Sequence, residues 1–258
     1  MPMSERPGRF CQSADRRRAL AVFGIRPGRE RQDGRMRLLD WDHNAYYHRL
    51  LIRQLPSPCT RVLDVGCGAG AFAAELARRV EHVDALDRSL AMIEAARQMT
   101  PANVTCILSD VMRDPLPAER YDAIVSVSAL HHLPIDDALR RLSRALRPGG
   151  VLAAVALPRL DLARELPAEL LAATGHRAFG AAFAVLRASG RGGWYRKAPS
   201  HETMPKVLDP PLTTRQVRQH AAATLPGARV RRLVFWRYLL IWQRPIETHT
   251  ADSGQRTA

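Results

Sequence analysis

A chain of 258 residues with 39 Lys or Arg against 25 Asp or Glu, and a formal charge of +14, is long enough for one large α/β domain or two small ones. Its apolar fraction of 46% with 6% aromatics suits a globular protein. No apolar run approaches the ~18 residues of a membrane-spanning helix, because the longest, Leu233 to Trp242, is broken by Arg237. The charge is unevenly spread: residues 1–37 carry +6, residues 38–157 carry −1 and residues 158–258 carry +9. Only Lys197 and Lys206 are lysines, so the arginine excess reads as solvated surface and tail more readily than as a nucleic-acid site. Cys11, Cys59, Cys67 and Cys106 form no C-x-x-C pair and match no zinc-ligand spacing, which predicts free thiols in a reducing cytoplasm and no metal.

Residues 1–35 are rich in Gly, Pro and Arg and are expected to be a disordered basic extension, or a stretch upstream of the physiological start. Leu38, Trp41, Tyr46, Tyr47, Leu50 and Leu51 predict an amphipathic helix that ends before Pro56. Strands and helices then alternate. Strands are expected at 61–66, 83–87, 104–108, 123–127 and 151–157, and helices at 71–80, 89–99 and 135–146, with Ser89 as an N-cap and Pro148-Gly149-Gly150 stopping the third. Strands without polar alternation imply burial on both faces, hence a parallel sheet covered by helices. Residues 161–188 read as helical but interrupted at Pro167 and Gly175, and 189–193 as a glycine-rich loop. Thr213-x-x-Gln216 has capping-box spacing for a helix to about Thr224, and 228–244 reads as a terminal hairpin.

The chemistry centres on Val62-Leu63-Asp64-Val65-Gly66-Cys67-Gly68-Ala69-Gly70, a buried strand running into a glycine turn and a helix. Glycines there permit a tight turn and close approach of backbone to a ligand. The same loop satisfies the dinucleotide pattern G-x-G-x-x-[GA], so a nicotinamide oxidoreductase is one alternative. Asp64 argues against it, since a carboxylate two residues before the first glycine repels a pyrophosphate and welcomes an ammonium or sulfonium. Asp87 ends the second strand, where it can accept from two ribose hydroxyls, and Asp110 follows the third, where it can accept from an adenine amino group. Three carboxylates at the carboxyl edge of one sheet suit a cationic adenosyl ligand.

With VLDVGCGAG (62–70), ALDRS (85–89), SDV (109–111), YDAIVSVSALHHL (121–133) and LRPGG (146–150), the chain resembles the class I S-adenosylmethionine-dependent methyltransferases, closest in flavour to quinone C-methyltransferases and other small-molecule enzymes. The resemblance implies a Rossmann-like α/β fold, a doubly wound, mostly parallel seven-stranded sheet with an antiparallel last strand. It implies S-adenosylmethionine as cofactor, with Asp64, Gly66, Cys67, Gly68 and Gly70 bordering the methionine part, Asp87 the ribose, and Asp110 with Val111 the adenine. Arg88 would lie beside the adenine, and Val127 and Ser128 would line the methionine side.

His131 and His132 follow the fourth strand, where the family's acceptor pocket begins. Adjacent histidines are expected to point apart, so one of them is a candidate general base, with packing as the alternative. Trp41, His43, Tyr46 and Tyr47 are candidates for a cover over the cofactor. The expected layout is one domain over 36–258: a cofactor core at 60–157, an acceptor-side insertion at 158–211, a terminal helix and strands at 212–245, and a tail. Within the insertion, Trp194, Tyr195, His201 and Met204 are candidate pocket residues, and cleavage near Arg191 or Arg196 would report a closing lid. The expected reaction is methyl transfer to an O, N or C atom of a small molecule. The alternatives are an RNA or protein methyltransferase using the basic C-terminal region, and a cofactor-binding module without turnover.

Overall fold

The computed structural model describes residues 41–190 and 210–246. Seven strands form one sheet: β1 (Arg61–Val65), β2 (His82–Asp87), β3 (Val104–Leu108), β4 (Tyr121–Val127), β5 (Leu146–Ala156), β6 (Arg229–Leu233) and β7 (Arg237–Gln243). Their spatial order is β3-β2-β1-β4-β5-β7-β6. β1 to β5 pair in parallel, and β7 pairs antiparallel with both β5 and β6. The chain winds outward from β1 to β3, then returns to the other side of β1 to start β4. The carboxyl ends of β1 and β4 therefore border the crevice of a topological switch point, the usual ligand site of such sheets. No helix among the described residues is long and apolar enough to cross a membrane.

The helices are α1 (His43–Ile52), α2 (Ala71–Leu76), α3 (Leu90–Met99), α4 (Ile135–Ala145), α5 (Leu162–Ala188) and α6 (Thr214–Thr224). Successive strand residues face opposite sides, which makes two cores. Leu63, Ile124 and Leu152 pack with Leu139 and Leu142 of α4 and Val217 of α6. Val62, Val83 and Val125 pack with Leu51 of α1, Phe72 and Leu76 of α2, Ile93 of α3 and Phe183 of α5. At the amino end of the sheet the buried Asp84 pairs with Arg61 at 3.3 Å and Arg120 at 3.5 Å.

Local signals account for several boundaries. The Ser89 hydroxyl accepts from the Met92 amide at 3.4 Å and starts α3. Thr213 and Gln216 form the expected capping box of α6. Thr213→Ala should cost about 1 kcal/mol by removing a capping oxygen, read as a lower urea midpoint with an unchanged slope.

Four expectations need correction. Trp41 lies ahead of α1, whose N-cap is Asp42; its carboxylate accepts from the Asn44 and Ala45 amides. Helix α2 ends at Leu76, short of Val80, because the Asn103 amide donates to the carbonyls of Ala77 and Val80 at 2.8 and 3.2 Å and so satisfies the end of a frayed turn. Strand β5 begins at Leu146: Pro148-Gly149-Gly150 stops α4, yet the segment continues as irregular strand, with a register shift opposite Tyr121 and Ala123. Helix α5 runs unbroken through Pro167 and Gly175. Gly175 faces the Phe235 ring of the terminal hairpin, 3.4 Å from where a Cβ would stand. Residues 1–35, Leu38, Trp194, Tyr195, His201, Met204 and the cleavage sites at Arg191 and Arg196 lie outside the described residues.

Candidate active site

The glycine loop leaves β1 with Gly66 at φ +73°, Gly68 at +54° and Gly70 at +83°. A Cβ on Gly66 would fall 2.3 Å from the Ala129 Cβ, so this glycine is where the ends of β1 and β4 pinch together. The Gly66 and Cys67 amides both donate to the Leu86 carbonyl, at 2.8 and 3.0 Å, which ties the loop to β2. Gly70 caps α2 against α3, where an added Cβ would meet Thr100 and Ala96. The Cys67 side chain is buried, and burial pushes its thiol up, beyond the range in which it would act as a nucleophile.

Three carboxylates lie along this edge in different states. Asp64 is 1% exposed, and its Oδ2 has no hydrogen-bond partner. Burial, then the Asp87 carboxylate, pushes its pKa up to about 7. That is an expensive arrangement for an apoprotein, and one that a bound cation would relieve. Asp87 accepts from the Gly68 amide at 3.0 Å and the Ser89 amide at 2.9 Å, one bond to each oxygen. Each oxygen keeps a lone pair for a further donor. Asp110 is more local in its habits: it accepts from the Met112 amide at 2.9 Å and lies 3.7 Å from the Arg113 guanidinium, while Val111 is buried behind it. Arg88 is exposed.

Beyond β4 the backbone turns sharply. Ser128 has φ +56°; its amide donates to the Val155 carbonyl and its hydroxyl to Asn44 Oδ1 at 2.7 Å. Val127, just before it, is half-buried. The short 3₁₀ turn Leu130–His132 follows. The expectation that the two histidines diverge is overturned: their rings lie 4.2 Å apart at 33°, because the tight turn holds both side chains on one side. His131 is buried with Nδ1 unpartnered, and burial, with His132 and Arg237 adding to it, lowers its pKa to about 3. His132 is also lowered, by burial and then Arg88. A neutral His131 can exchange hydrogen bonds but is a weak proton acceptor. It lines a small apolar pocket with Leu130, Leu157, Leu212, Val217 and Tyr238.

An aromatic cluster covers the other side of the edge. Trp41 meets Phe235 edge-on at 4.9 Å and Phe183 at 5.3 Å, and its indole donates to the His176 carbonyl at 3.4 Å. The His43 ring stacks on Phe235 at 5.5 Å and is 3.0 Å from His176 by nitrogen contact. Tyr47 donates to the Val234 carbonyl, and burial drives its pKa upward. Tyr46 joins through Phe235. Thus the segment leading into α1, helix α5 and the β6–β7 turn meet in one aromatic cluster. The turn holds Phe235 and Trp236 at φ +60° and +58°, a conformation that costs bulky residues free energy and recurs at functional sites.

Asn44, His176, Phe235, Trp236 and Arg237 are the residues that sequence reasoning missed. Arg237 left one trace, as the single charge inside an apolar run; the others left none, since they meet through long-range contacts such as Asn44 with Ser128 and His43 with His176, 84 and 133 positions apart.

The family model described as "Methyltransferase domain" matches residues 62–150, from within β1 to within β5. The methyltransferase Rv0089 of Mycobacterium tuberculosis is 37% identical over 210 residues, covering 80% of this chain and 98% of that protein. A malonyl-[acyl-carrier protein] O-methyltransferase of Salmonella typhimurium is 40% identical over 93 residues, 36% of this chain and 37% of that one. The N-methyltransferase NodS of Bradyrhizobium japonicum, solved with S-adenosylhomocysteine, has the same fold: TM-score 0.51, 18% identity, over 80% of this chain and 90% of that one. With a full-length relative at that identity and an acidic, glycine-pinched switch point in the matched region, the chain belongs to the class I S-adenosylmethionine-dependent methyltransferases.

Proposed function

We propose that this methyltransferase acts on an O, N or C atom of a small molecule, and that its cofactor is held by the residues of the β1, β2 and β3 carboxyl ends. The observation that carries the assignment is the buried, unpartnered Asp64 Oδ2 behind a loop whose glycine amide is pinned by Asp87. An orphaned buried carboxylate fits a ligand that brings positive charge and donors. S-adenosylmethionine, when bound, supplies a methyl group made electrophilic by its sulfonium.

In this reading Asp64 answers the ligand's positive charge, with Gly66, Cys67, Gly68, Gly70, Val127 and Ser128 around the methionine part. Asp87 receives the ribose hydroxyls, while Asp110, Val111 and Arg88 flank the adenine. The chain's own contribution to rate is alignment and dryness: the cover of Trp41, His43 and Phe235 excludes water, and acceptor and donor are held in line. His131 orients the acceptor as a neutral hydrogen-bonding group. The insertion at 158–211 contributes α5 to the cover, within one domain spanning 36–258. The free thiols of Cys59, Cys67 and Cys106 support a cytoplasmic setting.

Two measurements test this. Purified protein with methyl-labelled S-adenosylmethionine and a metabolite extract should label the small-molecule fraction. Label confined to RNA or protein would overturn the acceptor class. Asp87→Ala should weaken S-adenosylhomocysteine binding by about 1.5–3 kcal/mol, since two hydroxyls lose a charged acceptor. Unchanged calorimetric affinity would remove Asp87 from the site.

A further inference from the structure

Arg237 opens β7. Because β7 runs antiparallel to β5, with Tyr238 opposite Ala156, this first residue lands at the carboxyl edge of the sheet, beside the residues that follow β4. Its Nη2 donates to Asn44 Oδ1 at 3.2 Å, the same oxygen that receives the Ser128 hydroxyl. Its Nη1 donates to the carbonyls of Phe235 and Trp236 at 3.4 and 3.3 Å. Its Nε is buried and has no partner.

Every one of these partners is neutral. Among the described residues, no carboxylate lies within ion-pair distance of Arg237. The two acidic groups that act on it are otherwise engaged: the Tyr47 hydroxyl keeps its proton in a bond to the Val234 carbonyl, and Asp42 caps α1. Burial lowers the guanidinium only to about 10, so it stays cationic at neutral pH. A partly buried cation whose direct hydrogen-bond partners are all neutral, with Asp42 acting only at a distance, is unfavourable unless something else answers its charge. A latch between the hairpin turn and α1 would need donors but no net charge. The carbonyls and Asn44 instead hold the planar fork in place and leave its Nε edge unmatched. The neighbouring His131 is neutral, so among the described residues no group at contact distance brings the matching negative charge.

We propose that Arg237 is the anion-recognition residue of the acceptor subsite, and that the methyl acceptor carries a carboxylate held against its guanidinium at the end of β4. The proposal rests on the methyltransferase reading for the word acceptor, but the anion site itself does not. A carboxylate matches the geometry of the fork and its single charge. The cluster of His43, Phe235 and Trp236 beside it favours an acceptor with an apolar or aromatic body next to that carboxylate.

Benzoate and its neutral isostere benzamide are suitable probes, titrated by calorimetry into protein saturated with S-adenosylhomocysteine. Wild type should prefer benzoate by about tenfold or more, as expected for a charge-assisted pair. Arg237→Gln should abolish that preference and Arg237→Lys should retain part of it, which separates loss of charge from loss of fold. Equal binding of the two probes by wild type, or a preference that survives in Arg237→Gln, would overturn the proposal. Failure of S-adenosylhomocysteine to bind wild type counts against the cofactor reading instead, and the benzoate comparison can then be made on the free protein.

Discussion

Gly66→Ala should abolish measurable cofactor binding and destabilise the fold by about 3 kcal/mol. Two costs combine. The residue sits at φ +73°, where a side chain is strained, and its new methyl would start 2.3 Å from the Ala129 Cβ. Relief requires the ends of β1 and β4 to part at the switch point, where the Gly66 and Cys67 amides are anchored on the Leu86 carbonyl. Gly227→Ala is the matched control: φ is +84° and nothing lies within 4 Å of its added Cβ. It should cost about 1 kcal/mol of conformational strain and leave S-adenosylhomocysteine affinity alone. Calorimetry and urea melts of both variants check this. Wild-type binding by Gly66→Ala would mean that the loop does not touch the cofactor.

S-adenosylmethionine affinity should fall as the pH is lowered, by up to about tenfold per unit below pH 7. The cause is Asp64, whose pKa in the free protein is raised to about 7 by burial and by Asp87. A cationic ligand binds the ionised carboxylate, so below pH 7 binding must first expel a proton. Calorimetry at pH 6 in buffers of different ionisation enthalpy should show proton release, and Asp64→Asn should bind weakly with a flattened pH dependence. A flat wild-type profile would remove Asp64 from the charge balance. Stability responds with the opposite sign to that of an ordinary paired carboxylate. Between the unfolded value near 4 and the folded value near 7 the native state holds the extra proton, so stability of the free protein falls as pH rises through that window and levels off above it. Asp64→Asn removes this penalty. At pH 8 its melting temperature without ligand should exceed that of wild type by about 3 °C, so the residue proposed to answer the cofactor's charge is one the empty fold would do better without.

The glycine loop and the acidic strand ends of the proposed cofactor site were legible in the amino-acid sequence because their signals are local. Asp64 and the glycines lie within nine consecutive residues, Asp87 ends β2 and Asp110 follows β3 by two positions. Once β1, β2 and β3 are parallel neighbours, their carboxyl ends must share one edge. Ser89 and Thr213-x-x-Gln216 announced their helices for the same reason: a cap is satisfied within three residues.

The arrangement around Arg237, the proposed acceptor side, was decided by tertiary structure alone. Asn44, Ser128 and Arg237 meet although 193 positions separate the first and last. That contact exists because β7 reverses direction beside β5 and delivers its first residue to the carboxyl edge of the sheet. Gly175, which reads as a helix breaker, instead lies within a continuous helix and packs beside Phe235. Adjacent histidines, which period and propensity would separate, are brought side by side by a turn too tight for them to diverge. The electrostatic states followed the same division. Asp64 is visible as a carboxylate in any reading of the chain, but its orphaned oxygen and raised pKa arise from desolvation, which depends on everything packed around it and on no pattern of neighbours in sequence.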